Sequence, residues 1–155
     1  MARRLAIALA VLSLGLVSAA SRDEREQEVV TPADLKWVDG PASLDKGAKM
    51  AILEGDPTQP GPFVMRVKLP PGFKVMPHTH PKDERVTVLS GTLHLGSGAE
   101  YDMSRAKAMP AGSYGRTCAG LPHFGWVTGE TVLQLHGTGP WAVEYLNPAH
   151  DPRKK

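Results

Sequence analysis

The sequence predicts an all-β chain whose short strands form a sandwich or a small barrel. Glycine and proline are frequent, 16 and 14 of 155 residues, and they divide the chain into short pieces. Several of these pieces alternate apolar and polar residues, as a strand with one buried face does. Turn residues recur between them at spacings of roughly ten residues, which is typical of sandwiches and barrels. The length favours a single domain.

The strand-like pieces occupy most of the chain after its N-terminal part. The clearest is segment 63–69, which alternates apolar and polar side chains and is followed by two prolines and a glycine. The other pieces are 50–53, 85–89, 91–95, 114–118, 126–127 and 131–136. Structure is expected to begin near residues 35–38, and residues 102–109 have room for one helical turn.

The first twenty residues have the pattern of a secretory signal peptide. Arg3 and Arg4 precede an apolar run, small residues follow at 18–20, and the chain then becomes strongly polar. The apolar run is short for a membrane span, so an uncleaved anchor is the less favoured alternative. The expected organisation is a signal peptide at 1–20, a flexible leader at 21–31, a barrel at 32–150 and a tail at 151–155. The expected location is periplasmic or secreted, and an exported protein that keeps Met1 would contradict it.

The charge balance argues against a nucleic-acid partner, and the cysteine count excludes a disulfide within the chain. Lys and Arg number 18 and Asp and Glu 16, and without Arg3 and Arg4 the two totals are equal. A nucleic-acid partner therefore has no electrostatic basis, and no membrane partner is expected after removal of the signal peptide. Cys118 is the single cysteine, so no disulfide can form within the chain.

One cluster of residues has the spacing of a metal site. Because side chains alternate between the two faces of a strand, His78 and His80 share a face, and Glu84 keeps the same parity. Two neutral imidazoles and a carboxylate on one face can bind a single cation. The alternatives are a pair of surface histidines in a proline-rich turn and a solvent-facing glutamate. Two glycines flank the three candidate ligands. The resulting set, called the first motif below, consists of Gly72, His78, His80, Glu84 and Gly91.

A fourth candidate ligand, His123, lies on a separate strand-like segment. Its alternative interpretation is a turn histidine that follows Pro122. Imidazole together with carboxylate suits one divalent transition metal ion, Fe, Mn, Ni, Cu or Zn, better than Ca or Mg. The sequence alone does not choose among these metals.

These residues resemble the two signature motifs of the cupin superfamily, and the resemblance covers roughly residues 37–152. The first motif is complete. The second retains Gly112, Gly120 and His123, but Cys118 stands where the family usually has proline and Val127 where it usually has asparagine. The resemblance implies a cupin-type double-stranded β-helix, a small jelly-roll-like barrel, with metal ligands His78, His80, Glu84 and His123. Segments 55–57, 61–63, 77–81 and 134–137 resemble a group of small exported bacterial cupins that has no settled activity.

Three further side chains are placed by their position in the pattern. Cys118 has the wrong parity relative to His123 for a ligand, so it is expected to be a buried packing residue. Gln134 and His136 share one face of a late strand, and that face could line the cavity or meet solvent. If it lines the cavity, these two residues are the candidate proton-transfer groups.

The resemblance to cupins implies an open-sided metal site, from which two functions follow. The first is a metalloenzyme acting on a small oxygenated molecule, by oxygenase chemistry or by Lewis-acid chemistry as an isomerase, decarboxylase or hydrolase. The second is a ligand-binding or sensing module without catalysis. An enzyme should carry an acid or base beside the metal, whereas a binding module should show an apolar pocket without one. A small-molecule ligand or substrate is the expected partner, and formation of a homodimer is left open.

Overall fold

The computed structural model describes residues 27–155, which are built almost entirely of β-strands. Within this range there are four short 3-10 turns and no α-helix. None of the described helices is long and apolar enough to cross a membrane. The strands are β1 (Val38–Asp39), β2 (Lys49–Glu54), β3 (Gly61–Leu69), β4 (Lys74–Thr79), β5 (Glu84–Ser90), β6 (Thr92–Ser97), β7 (Ala106–Pro110), β8 (Tyr114–Thr117), β9 (His123–Val127), β10 (Thr131–Gly139) and β11 (Glu144–Tyr145).

The strands form two antiparallel sheets that enclose one core. The larger sheet has the order β1-β2-β3-β10-β5-β8, and the smaller has the order β11-β4-β9-β6-β7. Consecutive strands therefore often lie in different sheets, as in a jelly roll. This arrangement confirms the predicted all-β barrel of the cupin type.

Strands β3 and β10 show why the sequence pattern produces this fold. They pair along their whole length, from Thr131 opposite Leu69 to Gly139 opposite Gly61. Met65 and Val67 on β3 and Leu135 on β10 are buried, while the residues between them on each strand are only partly buried. Because side chains alternate between faces, each strand presents one apolar face to the core.

Gly72, Gly91, Gly112 and Gly120, the glycines of the two motifs, all have positive φ angles. At Gly91 φ is +77° and a Cβ atom would lie 2.6 Å from the carbonyl oxygen of Glu130. Any other residue there would combine backbone strain with a collision. The motif glycines therefore fix turns that connect the strands.

The strand-like pieces of the sequence do not include β4, β7 or β11, although the parity argument assigns His78 and His80 to a strand. β4 contains Lys74 and Pro77, which obscure its alternation. The region expected to hold a helical turn has only a 3-10 turn, Met103–Arg105, before β7 begins. The Asp102 side chain accepts a hydrogen bond from the Ser104 amide at 2.9 Å, and Ala106 then pairs with Gly96 of β6. Sheet pairing thus ends the helical geometry after one turn.

The predicted signal peptide and most of the predicted leader, residues 21–31, lie outside the described range and stay predictions. Residues 27–31 belong to no regular element, and the first turn is Pro32–Asp34. At the other end, the segment predicted as a tail contains a 3-10 turn, Pro152–Lys154, and Asp151 is buried. These last residues pack against the barrel.

Candidate metal centre

Three histidines meet at one end of the smaller sheet. His78 lies in β4 and His123 opens β9, and the two are direct partners in the antiparallel pair. His80 follows β4 immediately, before the turn that leads to β5. The side chains are almost fully buried, with relative exposures of 5% for His78 and 2% for both His80 and His123.

Each of these imidazoles is oriented by a backbone carbonyl. The Nδ1 atom of His78 lies 2.8 Å from the Met76 oxygen, and that of His123 lies 3.0 Å from the Leu121 oxygen. The Nδ1 atom of His80 lies 2.6 Å from the oxygen of Ala142. A carbonyl only accepts hydrogen bonds, so in the neutral form of each imidazole Nδ1 carries the proton and Nε2 keeps a lone pair.

The histidine nitrogens form a compact group of potential metal ligands. One ring nitrogen from each of His78, His80 and His123 lies within 4.8 Å of the others. The Nε2 atoms of His80 and His123 are buried and have no hydrogen-bond partner. Buried polar atoms are normally satisfied, so two adjacent Nε2 atoms without a partner fit the binding of a cation.

Glu84 approaches this group from the other sheet. It is the first residue of β5, and its Oε1 atom lies 3.3 Å from Nε2 of His80, while Oε2 lies 4.0 Å from Nε2 of His123. The expectation that one strand carries all three ligands of the first motif is therefore wrong. A turn separates Glu84 from His78 and His80, and the inward faces of two sheets bring them together. Glu84 is not part of the compact histidine group.

Burial and mutual charge set the protonation of the cluster. Burial, with added repulsion from His123 and His80, lowers the pKa of His78 to about 3. Burial likewise lowers the pKa of His123. Burial alone would lower the pKa of His80 and raise that of Glu84. The contact between the two side chains outweighs burial, so the pKa of His80 is raised and that of Glu84 is lowered. Two imidazoles are thus kept neutral, as metal ligands must be.

The four residues help to line a cavity of about 80 Å³ between the two sheets. Apart from them, the walls are mainly aliphatic side chains from both sheets, with one tryptophan, Trp141. Among the described residues that line the cavity, none outside the four is titratable. The aliphatic walls include Val67, Leu69, Val86, Leu93, Leu133 and Leu135.

Gln134 and His136 do not line this cavity. Their neighbours Leu133 and Leu135 do, so alternation along β10 directs the two polar side chains to the outer face of the sheet. There the Arg66 Nε atom donates a 3.5 Å hydrogen bond to Oε1 of Gln134. This placement corrects the assignment of Gln134 and His136 as candidate proton-transfer groups.

Cys118 is exposed rather than buried, which corrects the expectation for it. β8 ends at Thr117, which is buried, and the chain then turns through Gly120, whose φ is +71°. The amide of Ala119 donates to Oδ1 of Asp83 at 3.0 Å and fixes this turn. Alternation after Thr117 therefore directs the thiol to solvent, away from the imidazoles.

Two contributors to the site, Trp141 and Ala142, are not predicted by the sequence pattern. The indole nitrogen of Trp141 donates a 3.0 Å hydrogen bond to Oε1 of Glu84, and Ala142 supplies the carbonyl that orients His80. Neither belongs to a motif, because one acts through a distant contact and the other through its backbone. The only feature of the sequence that marks these two residues is their position shortly after β10.

Comparison with known proteins agrees with this architecture. The profile of the ChrR cupin-like domain family matches residues 25–142, which is most of the chain. The chain belongs to this cupin family. No curated protein matches the sequence of this cupin.

Solved structures similar to this cupin share its fold at low sequence identity. The polyketide cyclase RemF from Streptomyces resistomycificus is 21% identical, with a TM-score of 0.64 over 83% of this chain and 92% of that one. An acetylacetone dioxygenase from Acinetobacter johnsonii is 17% identical, with a TM-score of 0.62 over 84% and 85%. An RmlC-like cupin from Shewanella frigidimarina is 11% identical, with a TM-score of 0.55 over 80% and 96%. At these identities the similarity shows the fold alone.

The donor set of this cupin fits a transition metal ion. Three imidazoles with an adjacent carboxylate match the ligand preferences of Fe, Mn, Ni, Cu and Zn. The unsatisfied Nε2 atoms and the carbonyl-bound Nδ1 atoms are what such a site requires. The three buried histidines could therefore hold a metal ion.

Proposed function

We propose that this cupin binds one divalent transition metal ion on His78, His80, His123 and Glu84, and that it acts on a small oxygenated molecule as a metalloenzyme. The observation that carries the proposal is the convergence of three carbonyl-oriented histidines, two of which have buried, unsatisfied Nε2 atoms. Four protein ligands leave positions open on a five- or six-coordinate ion, and open positions are what catalysis needs.

The cavity indicates which chemistry fits the proposal. A bound transition metal would supply Lewis acidity or a site for dioxygen, and the protein would hold, orient and desolvate the substrate. The walls beyond the four polar residues are apolar, so within residues 27–155 no additional side chain that lines the cavity is placed to move a proton. Oxygenase chemistry therefore suits the site better than isomerase or hydrolase chemistry, which relies on a positioned acid or base.

The size and polarity of the cavity limit the ligand. A volume of about 80 Å³ accommodates several water molecules or one molecule with a handful of non-hydrogen atoms. The apolar walls favour a compact, weakly polar molecule whose oxygen atom faces the histidines. The similar dioxygenase is named for acetylacetone, a small diketone, which is in this size range.

A non-catalytic ligand-binding or sensing module is the second candidate. It is favoured by the same absence, within the described cavity walls, of an acid or base outside the four polar residues. Oxygen uptake separates the two functions. Dioxygen consumption by iron-loaded protein in the presence of small diketones supports the enzyme, whereas saturable binding of such molecules without turnover supports the module.

Metal content tests the site on which both candidates rest. We expect about one ion per chain in wild-type protein and a loss of affinity of at least about tenfold in His80→Ala. The same change at His136, on the outer face of the sheet, should leave the metal content at the wild-type level. Elemental analysis of the three purified proteins provides the measurement. Equal metal in wild type and His80→Ala would refute the site.

A further inference from the structure

Trp141 contacts two of the four candidate ligands at once. Its indole Nε1 donates to Oε1 of Glu84 at 3.0 Å. Its ring also stacks on the imidazole of His80, with centroids 5.2 Å apart and planes inclined by 25°. The side chain lines the cavity, so it forms part of the wall directly beside the candidate metal centre.

The backbone around Trp141 is tied to the barrel on both sides. The amide of Trp141 donates to the oxygen of Pro57 at 2.6 Å, and the carbonyl of Ala142 accepts the Nδ1 proton of His80 at 2.6 Å. Val143 is buried, with a relative exposure of 1%. The indole is therefore presented from a fixed segment, and its position relative to Glu84 does not depend on a mobile loop.

Two side chains, Trp141 and His80, approach the Oε1 atom of the Glu84 carboxylate. Trp141 donates a hydrogen bond to this oxygen at 3.0 Å, whereas Nε2 of His80 lies 3.3 Å away and is itself a candidate ligand. The side chain is only 12% exposed, so water has limited access to replace that bond. The terminal torsion of a glutamate has a broad minimum, and without a directed partner the carboxylate plane would rotate freely over a wide range.

We propose that Trp141 is a positioning residue for the metal centre. Its indole N–H holds the Glu84 carboxylate facing the Nε2 atoms of His80 and His123, and its ring supports the His80 imidazole. This role rests on the proposed metal site. It assigns to the segment after β10 a function that neither motif contains.

Trp141→Phe is the direct test, because phenylalanine keeps an aromatic ring beside His80 while it removes the N–H donor together with part of the ring's bulk. Trp126→Phe is the matched control, since Trp126 stacks on His94 and does not line the cavity. The probe is Co²⁺, measured by competition titration and by its visible absorption bands. We expect Trp141→Phe to weaken Co²⁺ binding by about tenfold or more and to alter the bands. The control should match wild type in both measurements.

A double-mutant cycle distinguishes positioning from general packing. If Trp141 acts through the carboxylate, Trp141→Phe should weaken Co²⁺ binding far less in a Glu84→Ala background than in wild type. Equal losses in both backgrounds, or unchanged affinity in Trp141→Phe itself, would overturn the role of Trp141. Wild-type protein that takes up no Co²⁺ would instead overturn the metal site.

A measurement on wild-type protein covers the case in which Trp141→Phe does not fold. With ¹⁵N-labelled indoles, Zn²⁺ should shift the Trp141 Nε1–H resonance and leave those of Trp37 and Trp126 in place. Trp37 lies under the ammonium of Lys68, and Trp126 lies beside His94, so neither touches the candidate ligands. An unchanged Trp141 resonance in zinc-loaded protein would overturn the proposal.

Discussion

Tautomer selection is the main device of the site at the scale of single residues. His78 and His123 each place Nδ1 against the carbonyl of the residue two positions before, Met76 and Leu121. His80 instead uses the distant carbonyl of Ala142. In each case the protonated nitrogen is turned outward and the lone pair of Nε2 inward. A cation bound between these histidines would therefore meet preoriented donors.

The stability of the metal-free protein should fall as the pH is lowered below 6.5. The unfolded chain protonates His78 near the ordinary histidine pKa of 6.5, whereas the folded protein does so only at a pKa of about 3. Between these values the unfolded state binds more protons, so protonation favours unfolding, by at most about 1.4 kcal/mol per pH unit for this group. The raised pKa of His80 acts oppositely, adding stability that is lost as the pH rises through it.

Denaturant unfolding in the presence of a chelator, between pH 7 and pH 4, measures this dependence. His78→Gln removes the titrating group, so its free energy of unfolding should fall less steeply with decreasing pH than that of the wild type. Parallel curves for the two proteins would show that burial does not suppress protonation of His78.

Cys118→Ala should leave both fold and metal content unchanged. The thiol is exposed and lies in the turn after β8, so its removal opens no cavity. The expected change in the free energy of unfolding is within about 0.5 kcal/mol. Thermal melting and metal analysis check the two expectations. Loss of metal from a folded Cys118→Ala protein would add a thiolate to the coordination set.

The candidate ligands can be predicted from the sequence because their signal is local. His78, His80 and Glu84 sit at fixed spacings within one motif, and His123 within another. Trp141 cannot be predicted, because its role comes from a contact with a residue 57 positions away. For Cys118, the prediction compares its parity with that of His123. The turn between β8 and β9 separates the two residues, and strand alternation does not hold within it.

At the scale of elements, the smaller sheet contains one position, Gly96, at which no larger side chain fits. Gly96 of β6 is paired with Phe124 of β9, and the Phe124 ring covers the position where a Cβ of residue 96 would stand. Phe124 is fully buried, at 0% exposure, so its ring has no free space into which to move. A glycine is required here for packing rather than for its φ angle.

Gly96→Ala should therefore lower the free energy of unfolding by about 1–3 kcal/mol, the usual cost of overpacking a core. Gly129→Ala is the matched control, because nothing lies within 4 Å of a Cβ at that position. Its stability should be unchanged or slightly higher, since alanine restricts the unfolded chain. Urea titration of the two variants gives the comparison. Equal midpoints would mean that the Phe124 ring can move aside.

Strands with clean alternation can be predicted, and strands whose faces are both mixed cannot. β3 and β10 alternate regularly and are expected from the sequence, whereas Lys74 and Pro77 hide the pattern of β4. The sequence leaves open which way the face of β10 with Gln134 and His136 points. Alternation defines two faces but does not tell which one meets the core, and pairing with β3 and β5 decides it.

At the scale of the whole molecule, the last residues secure the segment that carries Trp141. Arg153 donates through Nη2 to the Val143 oxygen at 3.1 Å and forms a two-point ion pair with the buried Asp151. β11 follows this carbonyl and pairs with β4 at His78 and Thr79. The C-terminus is thereby connected to the candidate metal centre.

Arg153→Ala should loosen this segment locally. The amides of Trp141 and Leu146 donate to Pro57 and Pro77, and they should exchange with solvent several-fold faster, while those of β3 and β10 exchange as in wild type. Lys155→Ala is the control, because Lys155 makes an exposed ion pair with Asp45. Hydrogen exchange followed by mass spectrometry resolves the segments. Unchanged exchange at Trp141 would show that the segment holds itself in place.

The insertion of β10 between β3 and β5 also sets the order in which the molecule can be assembled. Residues 131–139 complete a sheet begun by residues 61–69, so the central pairing joins parts of the chain that are far apart in sequence. Closing such a long loop makes folding slow relative to proteins with local contacts. Leu133 and Leu135 lie on β10 and line the cavity, so the cavity wall is incomplete until β10 pairs with β3 and β5. During synthesis, a chain of which residues 131–139 have not yet left the ribosome already contains the three histidines, but the cavity around them is not closed.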